Sequence, residues 1–167
     1  MIVFGVAYII LLSSIHDYVV EDKKLLAKIS IYFGVIFTTL ISINYFIQLS
    51  AVRLNILKRQ IDGLGQFVQS NPTSGIAAIN MLGWSVFLGL SSMFIAPIFS
   101  GNGLEKIIKL SFLANGFICI LGGIGYVFDI VLLVFLSMNL GMGISLLVGT
   151  TSLFLWYRRN MKLFQKS

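Results

Sequence analysis

Apolar residues recur in five long runs separated by short polar segments. A helix rises about 1.5 Å per residue, so about 20 apolar residues span the roughly 30 Å hydrocarbon core of a bilayer. We therefore predict one all-α domain, residues 1–167, that forms an integral membrane bundle of five transmembrane helices, or of four if the short first run is lost or peripheral. The runs cover about residues 2–15, 26–49, 76–99, 107–128 and 130–157.

The composition supports a membrane location. Hydrophobic residues make up 57% of the chain and charged residues 11%, whereas soluble domains contain about 25% charged residues. A water-soluble domain of this length could not bury so much apolar surface. The runs also leave no room for a separate soluble catalytic domain, and we predict the lipid bilayer as the main partner of the chain.

The net charge of +6 results from short clusters of Lys and Arg between and after the runs. With five spans, one side of the membrane carries Arg53, Lys58 and Arg59, and the other side carries the remaining nine basic residues. The positive-inside rule then predicts a cell-membrane protein with its N-terminus outside and its C-terminus in the cytoplasm. No basic groove with interleaved aromatic residues is apparent, so we expect no nucleic-acid partner.

Residues 53–64 have an amphipathic pattern. In a helix, one face would carry apolar side chains and the other would carry two basic side chains, an Asn and an Asp. Such a helix commonly lies on an anionic membrane surface, although a solvated extension of the second span has the same pattern. The apolar positions are Leu54, Leu57, Ile61 and Leu64, and the polar positions are Asn55, Lys58, Arg59 and Asp62.

The fifth run contains the most regular pattern of small residues. A spacing of four keeps such residues near one helix face, where a neighbouring backbone can approach closely. We predict that this face packs against another helix of the bundle or forms a dimer seam, with Ser85 and Gly89 of the third run as the candidate contact. The small residues are Ser137, Gly141, Ser145 and Gly149.

Five amide side chains lie within the apolar runs. An unsatisfied amide is costly in hydrocarbon, so each is expected to face the bundle and find a partner. They either line a polar cavity for a small solute or pair one helix with another, and we favour helix pairing. These residues are Asn44, Gln48, Asn80, Asn115 and Asn139.

Few residues of the chain have side chains suited to catalysis or metal binding. His16 is the single histidine and lies beside Asp17 at the polar end of the first run, and Cys119 is the single cysteine. The chain contains neither an HExxH zinc helix nor a CxxC pair. We predict no catalytic residue, cofactor or metal site, and regard an enzyme as the less favoured class.

Three sequence segments resemble a group of small prokaryotic multi-pass membrane proteins. The segments are ISINYFIQLSAVR at residues 41–53, IDGLG at 61–65 and FIAPIFSGNGLEKIIK at 94–109. The similarity covers about residues 41–109. It implies a membrane protein and brings no particular activity, so it transfers no site residues.

The preferred hypothesis for function is a non-enzymatic membrane subunit, sensor or regulator that acts through helix association, with copies of itself or with other membrane proteins. The alternative is a small-solute transporter or channel in which buried Asn and Gln side chains form a polar lining. The amides distinguish these two hypotheses. Their arrangement in space decides whether they form one polar lining or separate contacts between helices.

Overall fold

The computed structural model describes the backbone of residues 1–164 and the side chains of residues 1–160. This part of the chain is helical and contains no strand, so the predicted all-α class is confirmed. We number the five long helices in chain order. They are α1 (Ile2–Tyr18), α2 (Glu21–Leu57), α3 (Gly75–Ile98), α4 (Leu104–Val127) and α5 (Val131–Asn160, with its backbone continuing to Phe164).

Four of these helices, α2 to α5, are long and apolar enough to cross a membrane. The first helix is apolar but has 17 residues, a length of about 25 Å against a hydrocarbon core of roughly 30 Å. Several long apolar helices therefore fit a membrane protein. The choice between five and four spans stays a prediction.

The second helix extends further than the apolar run that predicted it, because it continues through a π-helical turn at Gln48–Val52 to Leu57. Of the amphipathic segment 53–64, the α-helical part is Arg53–Leu57. The chain then turns at Arg59, whose φ of 56° lies in the left-handed region and breaks the helix. The location of this segment on the membrane surface stays a prediction.

The helices pack around α3 and α4. The second helix contacts α1 and α3, α3 contacts α4, and α4 contacts α5 along its length. In α3, 50% of the most apolar stretch is buried, against 17% in α5. The last helix is therefore an outer element that packs mainly on α4.

The core of the bundle combines aliphatic and aromatic side chains from several helices. Phe37 of α2 and Phe112 of α4 are fully buried. The Phe37 ring meets Trp84 of α3 edge to face at 5.0 Å between centroids, and Phe4 of α1 stacks on the same indole at 5.7 Å. These ring contacts bring the first half of α1 against α2 and α3.

Candidate functional site

An amide cluster lies where α2 ends and α3 begins. Asn44 is fully buried, and its Nδ2 donates to Gln69 Oε1 at 2.9 Å and to Asn80 Oδ1 at 3.0 Å. One turn later, Gln48 Nε2 donates to the Phe67 carbonyl at 2.8 Å, and the Gln69 amide N–H donates to Gln48 Oε1 at 3.1 Å. The predicted amides of α2 and α3 thus hold residues 67–69 of the α2–α3 loop over this end of the bundle.

The same loop is held at its second half. Ser74 begins α3 as an N-cap, because its Oγ accepts from the Ala77 N–H at 3.1 Å, and this hydroxyl also donates to the Val68 carbonyl at 2.9 Å. The Tyr126 hydroxyl of α4 donates to the Pro72 carbonyl. The loop is therefore a folded cap on the bundle.

A second polar contact lies deep in the bundle, at Asn115 of α4. This side chain is fully buried; its Oδ1 accepts from Ser92 Oγ of α3 at 2.6 Å, and its Nδ2 donates to the Gly141 carbonyl of α5 at 2.8 Å. The Gly141 carbonyl also accepts from the Leu146 N–H, an i to i+5 bond of the π-helical segment Ser137–Ser145. One amide therefore joins three helices.

A group of hydroxyls continues this contact across the bundle. Ser91, next to Ser92, has an Oγ 3.0 Å from the Tyr8 hydroxyl of α1, and it donates to the Ser30 carbonyl of α2 at 2.9 Å. Ser30 Oγ in turn donates to the Ser91 carbonyl at 2.7 Å. The sequence did not single these out, because a serine in an apolar helix can bond to its own backbone, as Ser14 does.

Asn139 has a different environment from the other amides. It is exposed on α5, and its Nδ2 donates to the Phe135 carbonyl of the preceding turn at 2.8 Å. The five predicted amides therefore occupy three places: a cluster at the loop, a buried contact at Asn115 and the outer surface of α5. They do not converge on one lining.

The small residues of α5 pack against α4. A Cβ placed on Gly141 would lie 3.1 Å from Ile118 Cγ2, and one on Gly149 would lie 3.2 Å from Ser111 Cβ. Ser137 is buried against Gly122, whereas Ser145 is half-buried. Because these positions carry no large side chain, α5 can pack closely on α4 there.

The contacts that the structure gives for Ser85 and Gly89 are with α4, whereas the sequence suggested the small residues of α5 as their partners. A Cβ on Gly89 would lie 3.1 Å from the Gly116 carbonyl of α4, and a Cβ on Gly123 of α4 would collide with Ser85. The physical reason is that α4 carries small residues on two faces, one towards α3 and one towards α5. Ser85 and Gly89 therefore pack on one face of α4, and the small residues of α5 pack on another.

A pocket of about 270 Å³ lies beside the amide cluster, between the end of α2, the start of α3 and the π-helical segment of α5. Among residues 1–160, Gln69 Nε2 and Asn80 Nδ2 donate to no acceptor, and both residues line this pocket. Its lining residues are Met1, Tyr45, Gln69, Asn80, Met81, Trp84, Met138, Met142 and Gly143.

The remaining candidate side chains form no catalytic group. His16 Nδ1 lies 3.4 Å from Asp17 Oδ1 in an exposed pair, and Cys119 is fully buried between α4 and α5, near Gly141. Within the part of the chain that the structure describes, no three His, Cys, Asp or Glu side chains come together.

Comparison with known proteins identifies no relative. No family model matches the chain, and neither a curated protein nor a solved structure shows significant similarity to it.

Proposed function

We propose that this protein is a multi-pass protein of the cell membrane that acts by association, and that its partner is a second copy of the same chain bound along α5. The observation that carries the proposal is the exposed position of Asn139 on the outer surface of an apolar helix. In the proposed topology five helices cross the membrane, with the N-terminus outside and the C-terminus in the cytoplasm.

A carboxamide that faces lipid lacks the hydrogen bonds that water would supply. One N–H of Asn139 bonds to Phe135 in its own helix, and its Oδ1 accepts no hydrogen bond from residues 1–160. A neighbouring helix would supply the missing partners, and interhelical bonds of this kind contribute about 0.5–2 kcal/mol each. Association of two chains is therefore favourable at this position, whereas a monomer leaves the Asn139 amide in hydrocarbon.

The surroundings of Asn139 fit a helix as the partner. Gly143, one turn later, is also exposed and allows a second backbone to approach closely. A groove of about 560 Å³ runs past both residues, between Phe4 of α1 and α5. Among the four long apolar helices, α5 has the smallest buried fraction.

A second copy suits this surface because a carboxamide is self-complementary. Each amide both donates and accepts, and a two-fold axis places the same residue of two chains face to face. Two Asn139 side chains could then satisfy each other across the axis. No charged group is needed, and Asn139 and Gly143 of each copy supply both halves of the contact.

Replacing Asn139 tests this proposal. Asn139→Leu replaces the amide with an apolar side chain of similar size. We therefore expect the dimer dissociation constant to rise about 3- to 30-fold. The measurement is the molecular mass in detergent by light scattering over a range of protein-to-detergent ratios, with energy transfer between labelled copies in vesicles as a second readout.

Asn55→Leu is the matched control. Asn55 Nδ2 also donates to the carbonyl four residues earlier, Ala51, at 2.8 Å, but it lies at the polar end of α2 beside Arg53. We expect this variant to dimerise like the wild type. A wild-type protein that stays monomeric at all ratios, or an Asn139→Leu variant that dimerises equally well, would contradict the proposal.

The alternative function, a small-solute transporter or channel, is favoured by one observation. Gln69 and Asn80 have amide N–H groups with no acceptor among residues 1–160, and both residues line the pocket beside the loop. A solute with an acceptor oxygen would find these donors there. The polar lining in this alternative is smaller than the sequence suggested, because Asn115 and Asn139 lie elsewhere.

A further inference from the structure

In the part of the chain whose side chains the structure describes, most methionines lie around one pocket. The structure describes five methionine side chains, and four of them line the single pocket beside the amide cluster. The fifth, Met93 of α3, packs against Gly116 of α4. The four that gather come from three separate parts of the chain: Met1, Met81, and the pair Met138 and Met142.

We propose that this pocket binds a soft monovalent cation, Cu(I) or its analogue Ag(I), through methionine thioethers. Thioether sulfur is a soft, polarisable ligand that selects Cu(I) among biological metals. No carboxylate, imidazole or thiolate lines the pocket. Hard cations such as Ca²⁺ and Mg²⁺, which need oxygen ligands, usually including carboxylates, therefore lack their preferred donors there.

Three of these methionines come from two helices. Met138 and Met142 are four residues apart in the π-helical segment of α5 and both line the pocket. Met81 of α3 lines the same pocket, as does Trp84 three residues later on that helix. The two helices thus contribute three methionines to the lining of one pocket, and Met1 is a fourth.

Burial and aromatic rings fit a bound cation. Met81 and Met142 are half-buried, whereas Met138 is 55% exposed on the outer side of α5. Trp84 and Tyr45 also line the pocket, and the face of an aromatic ring attracts a cation. The site adjoins the association surface: Met138, Met142 and Gly143 line both the pocket and the groove, whereas Asn139 lines the groove alone.

The test is a titration of the full chain in detergent with Ag(I), in competition with a chromophoric chelator, repeated with Cu(I) under anaerobic conditions. A Cys119→Ala background removes the one thiol. We expect one ion per chain, and at least about a tenfold loss of affinity in the triple variant Met81→Leu, Met138→Leu, Met142→Leu. Quenching of Trp84 fluorescence in a Trp156→Phe background reports the location of binding.

Met93→Leu is the matched control, because it removes a thioether of the same helix outside the pocket. We expect its affinity to stay within about twofold of the background protein. If the triple variant loses its helical content, the single variant Met81→Leu replaces it. Absence of Ag(I) binding, equal affinity in the pocket variants, or an equal loss in Met93→Leu would overturn the proposal. Because Met138 and Met142 also line the association groove, the titration is made at a protein-to-detergent ratio at which the protein is monomeric, which separates its outcome from dimerisation.

Discussion

At the scale of single residues, the side-chain amides differ in how many of their hydrogen-bonding atoms have a partner in another helix. Asn115 uses its Oδ1 and an N–H in contacts with two other helices. Asn139, with the same side chain, bonds to its own helix and faces outward. The chemistry of the residue is the same in both cases, so its neighbours decide whether it stabilises the bundle or offers a surface for association.

Removing Asn115 is expected to weaken the bundle. Asn115→Leu breaks the bonds to Ser92 and to the Gly141 carbonyl, and we expect a loss of about 1–3 kcal/mol in the free energy of unfolding. The measurement is unfolding from mixed micelles by increasing SDS. Ser92→Ala and the double variant complete a double-mutant cycle, and strictly additive losses would show that the Ser92–Asn115 bond contributes nothing.

At the scale of elements, α4 organises the bundle through its small residues. Gly116 and Gly123 face α3, whereas Gly122 faces Ser137 of α5. Small residues let helix backbones approach closely, and in lipid such close packing replaces the hydrophobic driving force that soluble bundles use. The regularly spaced small residues of α5 therefore pack against α4, whose own small residues are less regularly spaced.

The Gly122–Ser137 contact leads to a graded prediction. A methyl group on Gly122 would collide with Ser137, whereas one on Gly143 would meet its nearest neighbour, the Met138 carbonyl, at an ordinary 3.4 Å. We expect Gly122→Ala to lower the free energy of unfolding by about 1–3 kcal/mol. In the monomeric protein, where Gly143 has no partner chain, we expect Gly143→Ala to leave the free energy of unfolding unchanged or to raise it by up to about 1 kcal/mol, because alanine favours a helix.

The same SDS unfolding assay, with helical content followed by circular dichroism, measures both glycine variants. Equal stability of Gly122→Ala and Gly143→Ala would show that close packing of α4 on α5 does not limit the stability of the bundle.

At the scale of the whole molecule, the first helix lies beside α2 over most of the α2 apolar run. The Gly5 carbonyl accepts from Thr38 Oγ1 at 3.1 Å, and Leu12 lies against Gly34. Met1 lines the same pocket as Tyr45. These contacts place α1 antiparallel to α2 within the bundle, and a fifth membrane crossing by α1 stays a prediction.

The proposed topology can be tested with proteases on sealed right-side-out vesicles. We expect an N-terminal epitope tag and the loop that carries Lys58 and Arg59 to be cleaved from outside, and the tail after Arg158 to be protected until detergent is added. With four spans and a peripheral α1, the tag would be protected together with the tail. Cleavage of the tail in sealed vesicles would show that the orientation is the opposite of the proposed one.

Much of the fold follows from the sequence by itself. Apolar runs of membrane length predicted the helices, because hydrocarbon leaves a backbone few alternatives to a helix. The end of α2 was harder to predict, since the π-helical turn at Gln48–Val52 extends a helix beyond its apolar run. The sequence also identified Asn44, Asn80 and Asn115 as polar positions in need of partners.

The tertiary structure alone decided which residues meet. Gln69 lies in a polar loop and carries no periodic signal, yet it bonds to Asn44 because the loop folds over the bundle. Four of the five methionines with described side chains line one pocket, although Met81 and Met138 are far apart in the chain. Periodicity reports which face of a helix is apolar or small, but helix order and rotation depend on many weak contacts summed over the bundle. For that reason the sequence determined the helices of this protein, and packing determined its candidate sites.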